Sequence, residues 1–298
     1  MSKLHSEMYE DLFQIEEQFE DNVQERIEKL RDKQIIKYRM KTIKSGDVLE
    51  CEIYPIWKTV TPGTRIAVEK SSRKAQKNLN DRNAQKHLVR LINTNFTKDD
   101  IWATFTYEDG KVPVSPEAAK KDMQNYIRRA KRHMKKHELR ELKYVYVTEF
   151  TRNGEKIRVH HHIVMNLRDR DAAESIWQNG AYTHTRRLQP NDFGLTGLAK
   201  YITKEKHNTK VRETSKRYSV SRNLKQPTIT VADSKITRRR VEKIAQHDVD
   251  PQQFFEAVYK DYTFKNMDVK YSHYVSGAYL YAQLKKFPSE RRYKNEST

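Results

Sequence analysis

Hydrophobic residues recur along the chain with two periods, and the switches between them mark its elements. Met8, Leu12, Ile15, Phe19, Val23, Ile27 and Leu30 follow steps of three and four, which predicts an amphipathic helix over residues 6 to 34. From Ile35 to Val68 the pattern shortens to strand-like runs, KYRMKTIK and VLECEIYPIW, on either side of a Ser45-Gly46-Asp47 turn. This reads as a small hairpin or accessory sheet. Pro62-Gly63 marks a break, and residues 69 to 92 return to a helical pattern.

A buried strand is predicted at IWATFTYEDG, residues 101 to 110, with Trp102, Thr104 and Thr106 on one face and Ala103, Phe105 and Tyr107 on the other. Ser115-Pro116-Glu117 has the chemistry of a helix start, and Met123, Tyr126, Ile127, Ala130 and Met134 then form one stripe. Two β-branched and aromatic runs, Tyr144 to Phe150 and Ile157 to Met165, flank Asn153-Gly154, a pair suited to a tight hairpin. Asp169 to Gln178 reads as a helix ended by Asn179-Gly180, Ala181 to Leu188 as a strand, and NDFGLTGLAKYITKEK as another helix. Beyond residue 231, Asp250-Pro251 opens a helix through Phe254, Phe255, Val258 and Tyr259, and the tyrosine-rich run Tyr271 to Phe287 reads as the core of a small helical unit or as a platform for stacking bases. The tail SERRYKNEST is expected to be disordered.

This order gives an α+β class: a central antiparallel sheet of about five strands flanked by helices, with accessory segments at both ends. The expected divisions are an acidic helix at 1–34, an accessory strand and basic-helix region at 35–97, a central domain at 98–230, and a mainly helical basic region at 231–298.

Charge narrows the partner. The 298 residues carry a formal charge of +19, which points to a polyanion, with nucleic acid ahead of a membrane surface. No apolar run approaches the roughly 18 residues that a membrane span needs, and no apolar signal-peptide core stands at the N-terminus, so a cytoplasmic location is expected. Cys51 is the only cysteine, which excludes an intrachain disulfide and a cysteine-rich zinc site. Residues 1 to 33 run against the trend, with ten acids and five bases. That helix is read as docking on its own domain, as a homodimer coil, or as a cover for a basic surface. The helix at 69 to 92 is basic, and Lys74 and Lys77 are candidates for phosphate contact.

The hairpin is where chemistry concentrates. A two- or four-residue loop would pair Glu149 with Arg158 and Val147 with His160, so that Val147, Glu149, Arg158, His160 and His162 share one face while His161 points the other way with Thr148 and Val159. Two imidazoles and a carboxylate then converge. Such a set suits an open divalent-metal site, because it leaves positions for water or phosphate; ordinary surface or core histidines are the alternative.

A strand ATFTY, a strand ending in an acid, a strand with His-x-His and a later helix with KYITK together resemble the HUH endonuclease superfamily. Within it they resemble the single-tyrosine rolling-circle replication initiators of bacterial plasmids and phages, over residues 100 to 230. Thr104-Phe105-Thr106 matches the first motif, His160-His161-His162 the histidine motif, Tyr201 with Lys204 the tyrosine motif, and KRYSVSRNLKQP at 216 to 227 resembles the serine-arginine strand of related phage proteins. The middle position of the histidine motif is usually a bulky hydrophobe and here is His161, a departure from the pattern.

The resemblance implies an HUH-type fold with the histidine strand inside the sheet and the tyrosine helix against its metal face. It implies that Glu149, His160 and His162 bind Mg²⁺ or Mn²⁺, that Tyr201 attacks a DNA phosphate to give a 5′-phosphotyrosine and a free 3′-hydroxyl, and that Lys204 orients the phosphate or protonates the leaving oxygen. Single-stranded or origin DNA is the implied substrate, with Lys200, Arg217, Arg222, Arg238 and Arg239 as further candidate contacts. No G-x-x-x-x-G-K-[ST] occurs in the chain, so a host helicase is expected to unwind the origin and a host polymerase to extend the primer. Two other classes compete: an HUH transposase or mobilisation relaxase, and a non-catalytic DNA-binding or repressor protein on the same fold. Relaxases usually place the tyrosine before the histidines, single-tyrosine transposases are usually much shorter, and the intact Glu149, His160, His162 and Tyr201 speak against a decayed site.

Overall fold

The computed structural model describes residues 34–59, 73–152, 155–180, 183–203, 218–271 and 277–287. Among these the chain forms β1 (Gln34–Ser45), β2 (Val48–Thr59), α1 (Arg73–Asn95), β3 (Ile101–Thr106), α2 (Pro116–Lys136), β4 (Tyr144–Arg152), β5 (Glu155–Met165) and α3 (Arg170–Ile176). It continues through β6 (Thr183–Arg187), α4 (Thr196–Thr203), β7 (Ser219–Val220), β8 (Thr228–Ala232), α5 (Arg238–Ala245), α6 (Pro251–Val258), β9 (Tyr262–Tyr271) and β10 (Ala278–Lys286). The class is α+β, with two five-stranded antiparallel sheets and six helices among the described residues. The predicted helix at 6 to 34, its homodimer contact and the tail lie outside the described residues. No described helix is long and apolar enough to cross a membrane.

The chain divides into two compact units, residues 88–226 and residues 1–87 with 227–298. In the first, the strands are ordered β6-β3-β5-β4-β7, so the histidine strand is central, as expected. One face of this sheet packs on α2 and α3. Alternation along β3 sends Ala103 and Phe105 into that core, where they meet Met123, Tyr126, Ala130 and Trp177. Phe105 stacks on Trp177 at 5.0 Å and lies 4.5 Å from Tyr126 between ring centroids. Helix α2 starts where the sequence put it: Ser115 caps it by accepting from the Ala118 amide, and Pro116 occupies the first turn.

The second unit corrects the expected divisions. The sequence predicts a mainly helical region over 231–298, but β9 and β10 fall there and join β1, β2 and β8 in a sheet ordered β8-β1-β2-β10-β9. The expected hairpin at 35–59 is therefore the middle of a full sheet. Ala278, Leu280, Ala282 and Leu284 alternate inward from β10 onto α5 and α6, which pack through Val241, Ile244 and Phe255. Gly277, at φ +125°, precedes β10 where a Cβ would come within 2.3 Å of the Tyr38 hydroxyl, so glycine is required there.

Candidate metal centre

The site is built by pairing. In β4 and β5, Thr151 pairs with Lys156 and Arg152 with Glu155, as a two-residue Asn153-Gly154 loop predicts. Past Phe150 the register shifts, because β5 carries Ile157, Arg158 and Val159 opposite the single Phe150. Glu149 therefore pairs with His160, and Val147 with His162, rather than with Arg158 and His160. The slip is two residues. A slip of two preserves parity, so Glu149, His160 and His162 share a face as predicted, and His161 points the other way.

On that face the Glu149 carboxylate lies between two rings. Its Oε2 is 3.0 Å from His160 Nε2 and its Oε1 is 3.4 Å from His162 Nε2, and one ligand atom from each residue falls within 4.8 Å of the others. The side chains of Glu149 and His162 are 5% and 4% exposed, so the pair is held away from bulk water, while His160 at 13% stands at the opening. Burial alone would raise the Glu149 carboxyl; the hydrogen bonds and charges of the two imidazoles outweigh it and hold the group down at about 2.

The outer contacts orient both rings. His160 Nδ1 lies 3.0 Å from the Arg158 carbonyl, an acceptor only, so Nδ1 carries the hydrogen and Nε2 of the neutral ring turns a lone pair toward a carboxylate. Such an arrangement calls for a cation between them, a proton or a metal ion. His162 Nδ1 bonds the Thr104 hydroxyl at 3.0 Å, and its ring stacks on Trp102 at 5.9 Å. An edge near 3 Å is also that of an octahedron with metal–ligand bonds of about 2.1 Å, so the donor set fits a divalent cation with open positions.

His161 belongs to the core side. It is fully buried, with Nε2 2.7 Å from the Tyr107 hydroxyl and Nδ1 2.8 Å from the Thr148 hydroxyl. Tyr107 donates to Asp122 on α2 at 3.1 Å, so it accepts from His161 Nε2–H, and the Thr148 hydroxyl then donates to Nδ1. Burial, with smaller effects from His160 and His162, lowers the His161 pKa to about 3, so the ring is neutral. A polar chain thus occupies the position where the resembled motif carries a hydrophobe.

The other predicted site residues are dispersed. Tyr201 lies on α4, with its side chain outside the described residues, as are Lys204, Arg217 and the side chains of Lys74 and Lys77. Lys200 is buried on α4. Arg222 is exposed in the turn after β7, where Ser221 accepts from the Tyr144 amide at 3.1 Å. Arg238 and Arg239 are exposed on α5 in the other unit, and Arg238 pairs with Glu242 at 2.7 Å. The sequence reading missed the roles of Thr104, Trp102 and Asn93. For Thr104 and Trp102 the signal was present, since alternation put both on the histidine-facing side of β3; Asn93 is joined to its partner only by tertiary structure, its Oδ1 accepting from the Leu195 amide.

Residues 100–206 match the family model of the ORF2-type replication-associated proteins. That span holds β3, the Glu149, His160 and His162 group, and Tyr201. No curated protein and no solved structure matches the chain.

Proposed function

We propose, from the family of residues 100–206 and the geometry of the site, that the protein initiates rolling-circle replication by nicking and rejoining a single DNA strand through Tyr201. The observation that carries this reading is the convergence of His160 and His162 Nε2 on one buried carboxylate, inside a replication-associated segment that also contains a tyrosine helix.

Glu149, His160 and His162 would hold Mg²⁺ or Mn²⁺, and the two imidazole nitrogens tilt the choice toward Mn²⁺. A bound cation would neutralise charge on the scissile phosphate. Tyr201 Oη attacks the phosphorus in line, the P–O3′ bond breaks, the phenol loses its proton and the 3′ oxygen gains one. The product is a 5′-phosphotyrosine with a free 3′-hydroxyl. A phenol has a pKa near 10, so it needs help to deprotonate. Lys204 orients the phosphate or delivers the proton to the leaving oxygen. One phosphodiester is exchanged for another, so the step reverses and permits joining.

The substrate in this reading is single-stranded origin DNA in the cytoplasm of a bacterial host, with a host helicase and polymerase completing the cycle. The net charge of +19 and the exposed Arg222, Arg238 and Arg239 support phosphate contact. Incubating the protein with labelled single-stranded origin DNA, with Mn²⁺ or with EDTA, tests this. A metal-dependent protein–DNA adduct on a denaturing gel is the expected result; binding without an adduct on any strand tried favours the non-catalytic reading.

A further inference from the structure

The helix that carries Tyr201 has little of its own to hold it in place. Helix α4 is eight residues long, well under the length at which an isolated helix is stable. Gly197 lies in its first turn. The Ala199 amide donates to the Leu195 carbonyl at 3.0 Å, which makes Leu195 the N-cap residue, and its side chain has no oxygen to accept from the first-turn amides.

The preceding turn is well made. Asn191 and Gly194 exchange backbone bonds at 2.9 and 3.0 Å, the Phe193 amide donates to Asn191 Oδ1 at 2.8 Å, and the Thr196 hydroxyl donates to the Phe193 carbonyl at 2.7 Å. These bonds fix the shape of the turn and not its place. A side chain from another helix fixes the place: Asn93, 8% exposed near the end of α1, accepts from the Leu195 amide through Oδ1 at 2.7 Å. In a capping box the bond to the N-cap amide comes from the third residue of the same helix. Here that residue is Leu198, which cannot make it, and Asn93 makes it across 102 residues of sequence.

We propose that Asn93 is a positioning residue for the nucleophile, its carboxamide holding the first turn of α4 and so fixing where the backbone of Tyr201 stands, less than two turns on. This rests on the reading of Tyr201 as nucleophile. The reaction is in-line, and displacement of a reacting group by about 1 Å costs on the order of 100-fold in rate.

The test is single-turnover cleavage of saturating labelled single-stranded origin DNA by the full chain with Mn²⁺. Asn93→Leu keeps the volume and removes the acceptor, whereas Asn93→Asp keeps the Oδ. Asn93→Leu is expected to cleave about 100-fold more slowly, with DNA affinity and Mn²⁺ affinity within about twofold of the parent. Asn93→Asp should recover most of the rate. Should Asn93→Leu fail to fold by circular dichroism, Asn93→Ala is held to the same expectation. Parental rates in a folded Asn93→Leu or Asn93→Ala protein, or an Asn93→Asp protein as slow as either, would overturn the proposal while leaving Tyr201 as nucleophile. A parent chain that forms no adduct would overturn both.

Discussion

Thr104 and His162 stand opposite each other in the β3–β5 ladder, and the Thr104 hydroxyl bonds His162 Nδ1 at 3.0 Å. The contact leaves Nε2 as the nitrogen turned to Glu149. Thr104→Val keeps the shape and removes the hydrogen bond, so Mn²⁺ affinity measured by calorimetry should fall about tenfold, while Thr104→Ser should hold it. Unchanged affinity in the valine variant would mean that stacking on Trp102 orients the ring unaided.

The three consecutive histidines should separate by role. His160→Ala and His162→Ala are expected to lose Mn²⁺ binding and nicking and to keep DNA binding. His161→Ala opens a hole between Tyr107 and Thr148 and strands their hydroxyls, so it should cost about 2–4 kcal/mol in urea unfolding while the folded fraction still binds Mn²⁺. Equal loss of metal binding at His160 and His161 would contradict the strand parity.

Acid should expose His161. Its folded pKa, lowered mainly by burial to about 3, lies below the ordinary 6.5, so the unfolded chain holds the extra proton between these values. Stability from this group is complete above about pH 6.5 and is lost as pH falls toward 3, by roughly 2 kcal/mol on reaching pH 5. Urea unfolding at pH 7 and pH 5 should therefore show a smaller acid loss in His161→Leu than in the parent, by about that amount. Parallel losses would show that the ring is not held neutral.

Much of the site was legible because strand alternation has a period of two. Parity put Glu149, His160 and His162 together even though the register slipped by two residues, which no feature of the turn announces. The C-terminal strands were illegible for a related reason: β10 carries Tyr279 and Tyr281 on its outer positions, so Ala278, Leu280, Ala282 and Leu284 do not stand out as an apolar face. Tyr54 stacks on Tyr279 at 6.4 Å, and nothing local in sequence marks that partner. The Asn93–Leu195 bond is the extreme case, since a polar side chain on one helix says nothing of which distant amide it will meet.

Salt should reveal how the strand is held. If lysines and arginines meet phosphates at six or more positions, affinity for a non-specific single strand should drop on the order of 1000-fold between about 50 and 200 mM salt. Fluorescence anisotropy across that range measures it. A flat response would place DNA away from the basic surface.

Covalent attachment at Tyr201 is the most direct test of the proposed chemistry. After reaction with single-stranded origin DNA and Mn²⁺, nuclease trimming and mass spectrometry of the peptides should put the nucleotide mass on the peptide containing Tyr201. Tyr201→Phe should leave no adduct and should cost on the order of 1 kcal/mol in stability or less, since only a hydroxyl is removed. An adduct that persists in Tyr201→Phe, or a nucleotide mass on Tyr218 or another tyrosine, would contradict the assignment.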